Sequence, residues 1–257
     1  MGAGCCMKFN SQRIIQQGQT NEEKERAFED LKVFYKSNKS SMNQKLKLIF
    51  KEICKTGRCE SEVVNLNFVD FQKARAEYLQ QIIPFFQNLK VLKLWKSRLK
   101  CEGLKVISYE LGGLVSLEIL SLEDNSLGSD GSMYLAEALT KLKNLKELWL
   151  QINNIGIIGA AYIADSLPKL KNLEKLGIDE NRIENKGAIK VASSVKKLKN
   201  MKILGLGYNL LNDETCLNII TILNTVGLEK LIFSGNNVSE QSGSKMKVHM
   251  PKTLIIF

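Results

Sequence analysis

One histidine, six cysteines and the adjacent acids Glu123-Asp124 and Asp179-Glu180 are the residues of this 257-residue chain that invite a chemical reading first. His249 stands eight residues from the end. A general base needs a partner to orient it, and nothing in that short tail supplies one. Cys54, Cys59, Cys101 and Cys216 form no C-x-x-C pair. With one histidine beside them, a zinc site lacks ligands, so no metal is expected. Glu123-Asp124 and Asp179-Glu180 have the look of acid/base pairs. No G-x-x-x-x-G-K-[ST] loop is present to cradle a phosphate, and no cofactor is expected. These observations point away from an enzyme.

The remaining cysteines lie in a different setting. The chain begins Met1-Gly2-Ala3-Gly4-Cys5-Cys6-Met7-Lys8. Loss of Met1 exposes Gly2, the acceptor of N-myristoylation, although Cys6 stands where Ser or Thr is usual. Cys5 and Cys6 beside it suit palmitoylation. One myristoyl chain anchors only marginally, and a second acyl chain makes the anchor stable. Gly2, Cys5 and Cys6 therefore read as a dual-acylation signal, which would hold the protein on the cytoplasmic face of a membrane. No apolar h-region follows to suggest secretion.

The elements that must position any site are set by a repeat. From Leu89 the chain repeats every 28 residues, with Leu89, Leu117, Leu145, Leu173 and Met201 opening successive copies. Three residues on stand Leu92, Leu120, Leu148, Leu176 and Leu204, and two further Leu94, Leu122, Leu150, Ile178 and Leu206. Ser97, Asn125, Asn153, Asn181 and Asn209 hold the next fixed position. Alternating apolar residues predict a short strand with one buried face. The asparagine amide is placed to satisfy backbone groups that no strand reaches. Gly103, Gly131, Gly159 and Gly187 follow, and the expectation is that they open the turn into a helix. Apolar residues then recur at i, i+4 and i+7, for example Leu135, Leu139 and Leu142, which predicts a helix with one apolar face. Such a unit buries its face only by stacking on its neighbours.

The L-x-x-L-x-L-x-x-N-x-L pattern, its 28-residue length and its helical second half resemble leucine-rich repeats of the ribonuclease-inhibitor-like class. The resemblance implies an α/β solenoid, curved, with a parallel sheet on the concave side and helices on the convex side. It covers residues 61–257, about seven repeats. The copy from Leu228 is expected to lose its helix, and Thr253–Phe257 to close the stack as a strand. Residues 21–60 read as two amphipathic helices capping the open end, and residues 1–20 as a flexible, acylatable terminus.

Residues between the strand leucines face the concave side. They place Trp95, Glu123, Gln151 and Asp179 in one row, with Asp124 and Tyr208 flanking it and Trp149 in the row before. Exposed aromatic residues among charges suit a protein-binding face, acidic in its middle at Glu123, Asp124 and Glu147. The acid pairs recur at one repeat offset and so read as surface features of the array. Lys-Leu-Lys-Asn recurs at 141–144, 169–172 and 197–200. Lys141, Lys143, Lys169, Lys171, Lys197 and Lys199 therefore form a basic edge near the helix C-termini, where they complement the helix dipoles. With 37 Lys+Arg against 27 Asp+Glu the chain carries +10. No aromatic residues interleave with the lysines, so nucleic acid is not the expected partner. The expectation is a non-enzymatic, membrane-tethered scaffold for a protein partner. The alternatives are a GTPase regulator of the Ran-activator type or a structural subunit of a ciliary or cytoskeletal assembly.

Overall fold

Every strand leucine of the repeat goes inside, and that fact organises the architecture. The computed structural model describes residues 20–257. Among these residues eight three-residue strands form one parallel sheet in sequential order. They are β1 (Val63–Asn65), β2 (Val91–Lys93), β3 (Ile119–Ser121), β4 (Glu147–Trp149), β5 (Lys175–Gly177), β6 (Ile203–Gly205), β7 (Lys230–Ile232) and β8 (Leu254–Ile256). Leu92, Leu120, Leu148, Leu176 and Leu204 are fully buried and lie in register from strand to strand. The helices between strands are α3 (Ala76–Ile82), α4 (Lys100–Leu111), α5 (Gly128–Leu139), α6 (Gly156–Ser166), α7 (Glu184–Val195), α8 (Asp213–Leu223) and α9 (Glu240–His249). Each buries its repeating apolar face against the sheet, so one core runs the length of the array.

Two helices precede the array: α1 (Asn21–Asn38) and α2 (Gln44–Thr56). Thr20 and Glu23 cap the start of α1 reciprocally, satisfying two helix-end donors. The helix runs to Asn38, whose side-chain amide donates back to the Phe34 carbonyl at 2.9 Å. Phe34 lies 6.1 Å from Phe50 of α2 and 5.8 Å from Tyr78 of α3. The pair thus covers the open end of the core with aromatic rings.

Two expectations are corrected. The copy from Leu228 keeps its helix, α9, nucleated by the Ser239 hydroxyl that accepts from Ser242 N–H. Short polar residues weaken its periodicity, and Met246 alone among its large apolar side chains is buried. The repeated glycines are not at the turn. Gly103, Gly131, Gly159 and Gly187 lie inside helices, where neighbouring helices approach closely. A Cβ on Gly131 would come within 3.3 Å of Cys101 Cα, and one on Gly159 within 3.1 Å of Ser129 Cα. The turn itself is left-handed at Lys96, Arg98 and Lys100 and at their counterparts in the next three copies, with Gly128 and Gly156 at the last of these positions, and at Tyr208 and Leu210 in the copy after those. Non-glycine residues adopt this conformation at a cost, so the bonds that hold the turn matter.

Candidate functional site

The concave face is built by the outward residues of β2 to β7. Trp95 packs its ring 4.9 Å from Phe68, which lies one repeat back, and the two stay 41% and 60% exposed. The Trp95 N–H donates to Asn67 Oδ1 at 2.9 Å, which fixes the chain beneath the ring. Phe68 drew no attention in the sequence because its copy is degenerate. Its spacing of 28 residues from Lys96 was the available signal. Further along, Ile152, Tyr208 and Leu210 are exposed on the left-handed turn.

Trp149 is placed differently. It is half-buried, its Nε1 donates to Glu147 at 3.1 Å, and its ring lies over Gly177. A Cβ at Gly177 would come within 2.7 Å of the Trp149 ring and 2.3 Å of Gln151. Gln151 and Asp179 sink into the same shallow space left by Gly177 and Gly205. Asp179 accepts from Gly207 N–H at 2.8 Å, and burial pushes its carboxyl above the ordinary range. Trp149 thus covers its neighbours, whereas Trp95 is presented. The acidic middle is also largely answered. Lys175 pairs with Glu147 at 2.8 Å, Lys96 approaches Asp124 at 3.8 Å, and the Ser121 hydroxyl donates to Glu123.

A charged column that sequence reading passed over runs beside the sheet. Glu62, Lys90, Glu118, Lys146, Glu174, Lys202 and Glu229 occupy one repeat position, with alternating sign. Lys90 pairs with Glu62 at 2.7 Å, Lys146 with Glu118 at 2.7 Å and Lys202 with Glu174 at 2.6 Å. The bond from Lys202 lowers the Glu174 pKa, and the same bond raises that of Lys202. This column neutralises itself.

The lysine edge does not. Lys141, Lys143, Lys169, Lys171, Lys197 and Lys199 are all exposed, on the rim where the helices return to the sheet. Among the described residues none of the six makes an ion pair. Lys141 rests 4.9 Å from the Tyr109 ring centre, and Lys143 donates to the Thr140 carbonyl. A second asparagine column stitches this rim. Asn144, Asn172 and Asn200 donate to the carbonyls of Val115, Lys143 and Lys171 at 2.9, 3.0 and 2.9 Å. The sequence held this signal in the fourth residue of each Lys-Leu-Lys-Asn.

Behind the concave face runs the buried asparagine ladder. Asn125, Asn153, Asn181 and Asn209 each donate from Nδ2 to main-chain carbonyls of their own turn and of the preceding repeat. Each Oδ1 accepts the N–H of the equivalent residue one copy back, at 2.9 to 3.1 Å. Asn236 closes the series by accepting from Asn209 N–H at 2.9 Å. Ser97 opens it, its hydroxyl donating to the Leu66 carbonyl at 3.0 Å. This is a leucine-rich-repeat solenoid.

No protein-family model matches the chain, and neither does any curated protein. Several solved structures are similar in part, three of them as follows. Leiomodin-1 Actin-Binding Site 2 shares 20% identity, with 59% of this chain and 87% of that one covered and a TM-score of 0.47. The leucine-rich-repeat protein LIC12759 of Leptospira interrogans shares 16%, over 76% of this chain and 60% of that one, with a TM-score of 0.34. An internalin, inlF, of Listeria monocytogenes shares 15%, over 70% and 69%, with a TM-score of 0.27. The solenoid's architecture rests on its own register and ladders.

Burial pushes the Cys216 thiol up to about 12 and raises those of Cys59 and Cys54, so all three stay protonated at neutral pH. Among the described residues no group of three His, Cys, Asp or Glu side chains gathers to hold a metal. No helix among them is long and apolar enough to cross a membrane. Gly2, Cys5 and Cys6 lie outside the described residues.

Proposed function

We propose that this solenoid is a non-enzymatic scaffold that holds a protein partner on its concave face and is tethered to a membrane by acylation. The exposed Phe68–Trp95 pair carries the first half of this reading. The fold does not need two large rings on its surface. Adjacent, tilted aromatic rings beside Lys93, Lys96 and Arg98 suit a partner segment bearing apolar and acidic side chains. Tyr208, 57% exposed at the far end of the same turn column, offers a second contact. The Cys54, Cys59 and Cys216 thiols, kept protonated by burial, supply no activated nucleophile. The sequence Met1-Gly2-Ala3-Gly4-Cys5-Cys6 carries the second half.

Proximity labelling in the native cell, comparing the protein with a Phe68→Ala/Trp95→Ala variant, tests the face. Loss of ~10-fold or more of the labelled partners, with the variant still folded, is the expected result for two hot-spot rings. An unchanged set of partners refutes it. A myristate analogue should label the intact chain and leave Gly2→Ala unlabelled, and absence of label from both removes the tether. Stimulated GTP hydrolysis by a small GTPase would replace the scaffold with a regulator.

A further inference from the structure

The strongest unexplained feature is the unanswered charge of the rim. The three loops 140–146, 168–174 and 196–202 hold nine lysines and one glutamate. That glutamate, Glu174, is already bound by Lys202. Where other columns of the array pair lysine with acid, these six exposed lysines meet no acid among the described residues, Lys141 resting on a ring and Lys143 on a carbonyl. The helix dipoles favour cations here, but each terminus needs one, and the chain supplies two or more.

The row also continues into an apolar residue. Val115 occupies the register position of Lys143, Lys171 and Lys199 in the preceding copy and is 58% exposed. An apolar side chain beside a lysine row is the composition of a membrane-surface contact, in which one residue enters the headgroup boundary and the cations hold anionic lipid.

The start of the described chain is directed toward the same rim. Phe28 packs on Phe85, and Phe34, six residues later, on Tyr78. Advancing along α1 therefore retreats along α3, and the two run antiparallel. Phe85 stands in register with Lys141, Lys169 and Lys197, two to four copies earlier. Thr20 precedes Phe28 by two turns, ~12 Å at the helical rise. The N-terminus of α1 thus points past Phe85 toward the rim.

We infer that this rim, from the start of α1 through Val115 to Lys199, docks on an anionic lipid membrane. Docking there stands the sheet upright and leaves the concave face, with Phe68 and Trp95, open sideways to a partner. The lysines supply a second membrane signal beside the proposed acyl chains. The inference shares the membrane with the proposed function, but its test needs no acyl group.

The full chain, purified without acylation, is sedimented with phosphatidylcholine vesicles with and without phosphatidylserine. Binding to the anionic vesicles only, weakening as salt rises, is expected. Each surface lysine contributes about fivefold, so Lys141→Gln/Lys169→Gln/Lys197→Gln should bind about 100-fold more weakly. Lys105→Gln/Arg182→Gln/Lys186→Gln removes the same charge from exposed positions away from the rim and should change binding by less than about threefold. Equal losses in the two variants, equal binding to neutral vesicles, or no binding to anionic ones overturns the docking surface. Circular dichroism establishes that both variants keep the fold. Failure of Gly2 labelling removes the tether without touching this result, and failure here leaves the labelling result standing.

Discussion

The buried asparagine ladder and the exposed lysine edge are both columns repeated every 28 residues, and they obey opposite rules. In the first, every copy is satisfied by its neighbours. Asn181 donates to the carbonyls of Leu150, Ile178 and Asp179 and accepts from Asn153 N–H, at distances from 2.8 to 3.0 Å. In the second, each copy repeats the same positive charge, and neighbours can only repel. The Glu/Lys column beside it shows that this array can alternate sign when a column is to be neutral. A repeated residue that its own copies satisfy belongs to the fold. One that they leave unanswered is addressed to something outside it.

Removing a rung of the inner ladder should break this comparison most severely. Asn181→Ala leaves buried carbonyls and two N–H groups without partners, each costing about 1–3 kcal/mol. A loss of ~3–5 kcal/mol in urea unfolding is expected, and it should split the array's transition at that repeat. A loss below ~1 kcal/mol would show that the left-handed turns hold themselves.

A smaller effect concerns Asp179, between the two regimes. Burial raises its pKa in the folded chain, so the folded state holds a proton more tightly than the unfolded one. Its contribution to stability therefore falls as pH rises from the unfolded carboxylate range through the raised folded value. Asp179→Asn keeps an acceptor for Gly207 N–H and removes the ionisation. It should be more stable than the parent at pH 7 by less than about 1 kcal/mol, with the gain shrinking toward acid pH. Thermal melts across that window check the sign.

The smallest effect is expected at the rim. Lys141→Gln/Lys169→Gln/Lys197→Gln should leave the urea midpoint in place at moderate salt, or raise it slightly at low salt as repulsion is relieved. A clear loss of stability would turn the lysines into structural residues and weaken their assignment to a membrane.

The fold was legible because its signals are local and repeated. Leucines at fixed offsets produce strands, and Asn125 and its equivalents stood where the chain leaves the sheet. The glycines were misread because a conserved offset says only that no side chain fits. It does not say whether a turn or a neighbouring helix forbids it. Gly159 faces α5, and that contact lies 30 residues away. The rim asparagines went unnoticed because their acceptors are carbonyls 29 residues earlier.

The concave face divides along the same line. Period alone determined that Trp95 and Trp149 point outward, since alternation with the buried leucines leaves no other side, whereas Tyr208, in phase with the buried Leu204 and Leu206, is exposed on a left-handed turn. Period also determined where the charges fall and that the chain would stack into a solenoid. Tertiary structure decided which of these residues are available. Gly177 in the next repeat gives Trp149 a floor to lie on, and Phe68 in the preceding one props Trp95 toward solvent. Exposure depends on what stands one copy away in space, and a one-dimensional pattern specifies facing without specifying cover.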